Sequence, residues 1–134
     1  MPHYDVPYGY TRELPGVPFD QAIERATAAL KTEGFGVLTS IDVKDTLKKK
    51  IGVDFRRYVI LGACNPQLAH RALESELGIG LLLPCNVTVF EGDEGQTVVQ
   101  IIRVQSMFEV LNKPGMEALA AEADQKLKRA LEEM

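Results

Sequence analysis

The chain has 134 residues, 46% hydrophobic and 25% charged, proportions that fit one globular domain with one core and exclude disorder along the whole length. A net charge of −4 and a pI near 5.2 give no built-in attraction for phosphate backbones or anionic membranes, so neither nucleic acid nor membrane is an expected partner.

The first seven residues read as a loose terminus. Met1-Pro2-His3-Tyr4-Asp5 lacks the basic-then-apolar pattern of a signal peptide, which makes the cytoplasm the expected location and free thiols the expected state of the two cysteines. Tyr8 to Leu14 reads as a strand with Tyr8, Tyr10, Arg12 and Leu14 on one face. Pro15-Gly16 breaks it. Phe19, Ile23, Ala26 and Leu30 then recur at helical spacing, and Pro18 and Gly34 punctuate a helix over 18–33. Gly36 to Asp42 is a short strand. Val43 to Lys50 can form a short helix, with Asp42 as its natural cap and Gly52 as its stop. Phe55 to Ala63 is the strongest strand, and its run Tyr58-Val59-Ile60-Leu61 suits a strand covered on both faces.

Asn65-Pro66 opens the next helix as cap and first residue. Leu68, Ala69, Ala72, Leu73 and Leu77 give that helix its apolar face, and Gly78 stops it. Ile79 to Pro84 is the longest apolar run, far too short to span a bilayer. Pro84 to Glu91 and Gln96 to Arg103 form a strand pair around the turn Gly92-Asp93-Glu94-Gly95. The segment 104–111 shows no firm period. Its Met107, Phe108, Val110 and Leu111 must be buried, either in the chain's own core or against a second subunit of a homodimer. A last helix begins near Pro114, with Met116, Leu119, Ala120, Ala123, Leu127 and Leu131 inward and Glu117, Glu122, Asp124, Lys126 and Lys128 on a solvated side. The sum is an α+β fold in one domain, a two-layer sandwich of helices on a mixed five-stranded sheet.

Motifs for known chemistry are missing. There is no phosphate-binding loop, no dinucleotide fingerprint and no nucleophile elbow. His3 and His70 are far apart and read as surface residues, and Lys48-Lys49-Lys50 with Arg56-Arg57 reads as a solvated basic face. The pointed feature is the cysteine pair. Cys64 ends the best strand just before the helix cap Asn65, where amide dipoles favour a thiolate. Cys85 starts a later strand and is followed by Asn86. The four residues Cys64, Asn65, Cys85 and Asn86 are the ligand or soft-metal candidates. The alternative is that the thiols are simply small core hydrophobes. They can meet only if their strands run antiparallel, with Gly78 to Leu83 returning the chain along the helix.

Gly34-Phe35-Gly36-Val37-Leu38, Ile41-Asp42-Val43, Leu61-Gly62-Ala63-Cys64-Asn65-Pro66 and Leu82-Leu83-Pro84-Cys85-Asn86-Val87-Thr88-Val89 resemble, in order, the prokaryotic family called domain of unknown function 302. The resemblance runs from about Tyr10 to the end. It implies a small α+β domain and brings with it no activity, cofactor or catalytic residue. Three functions stay open: a non-catalytic small-ligand or soft-metal binding module acting as a homodimer, a thiol-dependent enzyme or redox switch using Cys64 and Cys85, and a purely structural interaction domain.

Overall fold

The structure is a computed structural model that describes residues 4–134. His3 lies outside them. Five strands form one sheet: β1 (Gly9–Leu14), β2 (Gly36–Asp42), β3 (Tyr58–Cys64), β4 (Cys85–Glu91) and β5 (Thr97–Ile102), in the order β1-β5-β4-β3-β2. Five helices accompany them: α1 (Phe19–Thr32), α2 (Val43–Ile51), α3 (Pro66–Ser75), α4 (Val104–Leu111) and α5 (Glu117–Glu132). The expected α+β sandwich on a five-stranded sheet is present. The expected mixture of pairings is not, because all four strand pairs are antiparallel. The reason lies between β3 and β4. After α3 the chain folds into a 3-10 helix (Leu77–Leu82) with only Ile79 buried, and it re-enters the sheet from the end where β3 left it.

Register assigns every strand residue a face. Val59 stands opposite Val89, Leu61 opposite Val87, and Val89 opposite Val99. All five are buried, with Ile101 and Ala63, beneath α1 and α5. Alternate residues face the other way. There Tyr58 stacks on Phe90 with ring centroids 5.2 Å apart, and Tyr4 meets Phe90 edge-on at 5.2 Å. The backbone carbonyl of Tyr4 accepts a bond from Gln100 at 2.6 Å and its hydroxyl accepts one from the Asp93 N–H at 2.6 Å. The N-terminal segment from Tyr4 is therefore pinned across the sheet rather than loose.

The helix signals act as expected except at the end of α3, which stops at Ser75 rather than at Gly78 and leaves Leu77, expected on its apolar face, exposed in the 3-10 helix. Asp42 caps α2, accepting from the Asp45 N–H at 2.9 Å, and Asn65 caps α3, accepting from the Leu68 N–H at 3.2 Å. α1 closes with two backbone bonds, Gly34 N–H to the Lys31 carbonyl at 3.0 Å and Phe35 N–H to the Leu30 carbonyl at 2.9 Å. That pattern needs a left-handed residue, and Gly34 supplies it at φ 82°. α5 buries five of the apolar residues named from its period, the sixth, Met116, being buried just before its first turn, and it also buries Asp124, which was expected on the solvated side. The Tyr10 hydroxyl donates to Asp124 Oδ2 at 2.5 Å. Burial first, and this bond second, raise the Tyr10 phenol above its ordinary pKa. No helix among the described residues is long and apolar enough to cross a membrane.

The segment 104–111 is the helix that sequence reading missed. Val104 is buried, and Met107, Phe108 and Leu111 pack half-buried against the core. These four positions are spaced i, i+3, i+4, i+7, one face of a helix. Val110, off that face and 79% exposed, is what obscures the period.

Candidate functional site

The elements that carry the pointed sequence motifs converge on one cavity. Ala63, Cys64 and Asn65 approach it from the end of β3, and Leu83 and Cys85 from the start of β4. α3 contributes Leu68, Ala69 and Ala72. α4 roofs it with Val104, Met107 and Phe108, while Leu119 and Ala123 of α5 close the far side. The turn after α1 delivers Phe35, which is 2% exposed. The free volume is about 40 Å³, room for roughly two or three water-sized molecules.

Local packing explains the motif residues around it. A side chain at Gly62 would run into Thr39 Oγ1 and approach Pro84 Cγ to 2.9 Å, so β2, β3 and the start of β4 close over a position that only glycine fits. A side chain at Gly34 would meet Asn65 Nδ2 at 2.9 Å. The same amide donates to the Glu33 carbonyl at 3.4 Å. The end of α1 and the start of α3 are thus locked through Asn65, which fixes Phe35 and Cys64 at the cavity together.

The four ligand candidates separate. Cys64, Asn65 and Cys85 border this cavity, but Asn86 does not, because strand alternation turns it to the opposite face of the sheet. The thiols do not act as a pair either. β3 and β4 are antiparallel, as a meeting requires, yet the register sets Ala63 opposite Cys85 and leaves Cys64 one residue out of step. Both cysteines are free and the sulfurs are not near each other. Among the described residues no cluster of three or more His, Cys, Asp or Glu side chains could hold a metal ion.

Chemically the cavity is quiet. Burial, with a smaller contribution from Cys64, pushes the Cys85 thiol up to about 11, so it stays protonated at neutral pH and behaves as a small apolar wall. Cys64 is only partly buried. Apart from the thiols, no side chain able to act as acid or base lines the cavity among the described residues.

The rest of the expected surface chemistry is paired and solvated. His70 is exposed and 3.1 Å from Glu74. Lys48 meets Asp54, Lys49 meets Asp45, Arg56 meets Asp93 and Arg57 meets Asp20.

Residues 10–134 match the family described as "Domain of unknown function DUF302". The chain belongs to the DUF302 family. A crystal structure of an uncharacterized conserved protein DUF302 from Bacillus stearothermophilus has the same fold. Its TM-score is 0.88 at 33% identity, covering 96% of this chain and 98% of that one. A protein of Aquifex aeolicus (strain VF5), described as uncharacterized, is 23% identical over 128 residues, 93% of this chain and 83% of that protein. The family-like motifs at 34–38, 61–66 and 82–89 all touch the cavity beneath α4 through Phe35, Cys64, Asn65, Leu83 and Cys85.

Proposed function

We propose that this DUF302 domain is a non-catalytic module that holds a small apolar ligand in the cavity roofed by α4. The observation that carries the reading is the chemistry of the lining. The three motif stretches meet on a hollow walled by carbon and thiol, with no acid or base to do work on a substrate. A ligand larger than a few atoms needs α4 to lift. Met107 and Phe108, the half-buried roof, make that an inexpensive motion compared with opening α5, which buries seven residues. Cys64, partly exposed at the rim, reports on occupancy. The thiol-enzyme reading lacks the neighbouring base that such chemistry uses.

Xenon is a suitable probe because it fills small apolar cavities. Under xenon pressure the methyl groups of Ala69, Ala72 and Met107 should shift in a saturable way. Ala72→Leu, which fills the hollow, should abolish the effect, and Met107→Ala, which enlarges it, should strengthen it. Uniform small shifts over all methyls, unchanged in both variants, would remove the proposal.

A second reading retains the homodimer and moves its interface. Met107, Phe108 and Leu111 are engaged with the chain's own core, which leaves only Val110 of the expected interface exposed. The uncovered apolar surface lies instead around edge strand β2 and α2. α2 buries no residue, and Leu38, Ile41, Ile51, Val53 and Phe55 are all at least 40% exposed. A twofold pairing of β2 with its copy would satisfy the free strand edge with a self-complementary surface. Light scattering on Leu38→Glu checks this: the parent should have twice the monomer mass and the variant the monomer mass. A monomeric parent removes it.

A further inference from the structure

The roof of the cavity has an outer side. Gln105, Phe108 and Asn112, spaced i, i+3 and i+7, share one face of α4 and its cap. They line an open groove between α4 and the start of α5 that holds about 530 Å³ of free space. Met116, just before α5, and Ala120 within it are buried and form the opposite wall. Phe108 belongs to both spaces. Among the described residues it alone lines the groove as well as the buried cavity, whereas Val104 and Met107 border the cavity only.

The groove differs from the cavity in its polar groups. Gln105 and Asn112, both exposed, flank Phe108 along the helix, and each carboxamide offers donors and an acceptor. The charges are balanced, Arg103 and Lys113 against Glu109 and Glu117. Lys113 is engaged with Glu76 at 3.0 Å, and Glu117 accepts from the Gly115 N–H at 3.0 Å. The Arg103 guanidinium lies over the Tyr10 ring, 5.7 Å from its centre. The lining therefore selects neither an anion nor a cation.

We propose that Phe108 is the gate of the cavity and that the groove receives the polar end of its ligand, an aliphatic molecule with one uncharged hydrogen-bonding head of the alcohol or amide class. This role for Phe108 rests on the cavity being a ligand site, and it adds the way in and the ligand's other half. The tail is apolar because the cavity wall is carbon and thiol, where a polar group would find no partner. It is short because about 40 Å³, with the space the ring leaves as it turns out, admits only a few carbons. The head is uncharged because the groove sets two carboxamides among balanced charges. For so slender a tail the turn of one half-buried ring is enough, and Val104, Met107 and Leu111 keep α4 seated on the core.

Chemical-shift titration with n-pentanol, against the pentane diol that carries a hydroxyl at each end, tests the assignment. The alcohol should give saturable shifts at the Ala69 and Ala72 methyls in the cavity and at the Gln105 and Asn112 side-chain amides in the groove. The diol, which has no apolar end, should give neither. Gln105→Ala and Asn112→Gly delete the carboxamides at exposed positions, and glycine keeps the left-handed conformation that Asn112 has at φ 48°. Each should weaken n-pentanol binding by about threefold to tenfold and leave the xenon response as in the parent. Phe108→Ala removes the gate and should speed n-pentanol exchange more than Met107→Ala, which enlarges the cavity without opening it to the groove. Should Phe108→Ala not fold, the two carboxamide variants decide the question. Xenon uptake without saturable n-pentanol shifts, equal binding of the diol, unchanged affinity in both carboxamide variants, or exchange no faster in a folded Phe108→Ala would each overturn the gate and leave the apolar cavity standing. A parent that shows no xenon response would remove the cavity reading itself, and the gate with it.

Discussion

The two faces of the sheet are built from the same strands and do different work. Beneath α1 and α5, every second residue is a packed aliphatic: Val59, Leu61, Val87, Val89, Val99, Ile101. On the other face, Phe90 and Val98 are buried under Tyr4 and Tyr58 at one end. Toward the other end the residues become Thr88, Gln100 and Asn86, and on β2 they become the exposed Ile41. Stability is concentrated on one side and unsatisfied surface on the other. Helix cover, rather than strand composition, makes the difference, since Ile60 and Leu61 are neighbours on one strand with unlike fates.

The largest test of that contrast is Ile101→Ala. Ile101 is 1% exposed, on the covered face, and its truncation should cost about 3 kcal/mol, as buried isoleucine and leucine truncations do. Urea unfolding followed by circular dichroism reads it directly. A loss below about 1 kcal/mol would mean that the covered face is not the packed core.

Cys85 sharpens the comparison through pH. Its thiol is raised to about 11 in the folded chain, from 9.0 when unperturbed. Below pH 9 both folded and unfolded chains keep the proton, and the stabilisation is fully present. As pH rises from about 9 to 11 the unfolded chain ionises first, so stability falls, by up to about 3 kcal/mol over two units. Cys85→Ala should lack this component. The check is the parent-minus-variant difference in unfolding free energy at pH 8 and pH 11. A difference that does not change would show that Cys85 is not held in an apolar site.

A somewhat smaller effect belongs to the Tyr10–Asp124 bond at the margin of the covered face. Tyr10→Phe removes the donor to Asp124 and leaves a buried carboxylate with neither oxygen paired among the described residues, since Oδ1 already has no partner there. The expected loss is about 1–3 kcal/mol. Adding Asp124→Leu should recover much of it, because removing both polar groups is less costly than removing one. An equal loss in single and double variants would show that the bond carries none of the stability.

These features were unequally legible in the sequence. The helix boundaries were, because Asp42, Asn65-Pro66 and Gly34 act through local backbone chemistry that needs no tertiary context. Strand direction was not, because the return of the chain depends on whether Gly78 to Leu82 coils or extends, and the 3-10 helix there has almost no sequence signature. α4 was legible in principle, since Val104, Met107, Phe108 and Leu111 sit on one helical face. The cysteines were singled out as a pair, and the structure does not bring them together as one. Both border the cavity under α4, but a one-residue offset in register separates them as a pair, and register is decided by the sheet as a whole. Thr88, whose buried hydroxyl has no hydrogen-bond partner among the described residues, gave no signal, because such a hydroxyl is defined only by its surroundings.

The smallest expected effect falls on the uncovered side. Ile41 is 48% exposed on edge strand β2, and Ile41→Thr keeps the β-branch that a strand favours. In a monomer its stability should change by no more than about 0.5 kcal/mol, as exposed substitutions do. In a β2-paired dimer the same substitution removes apolar surface from the interface. The unfolding midpoint then becomes more dependent on protein concentration, because folding and association are linked. Measuring the midpoint of parent and variant across a hundredfold range of protein concentration separates the cases. Parallel, flat lines would leave the second face of the sheet exposed to solvent and the homodimer without its interface. Lines that converge at high concentration would show that a second copy provides the cover that no helix of this chain provides.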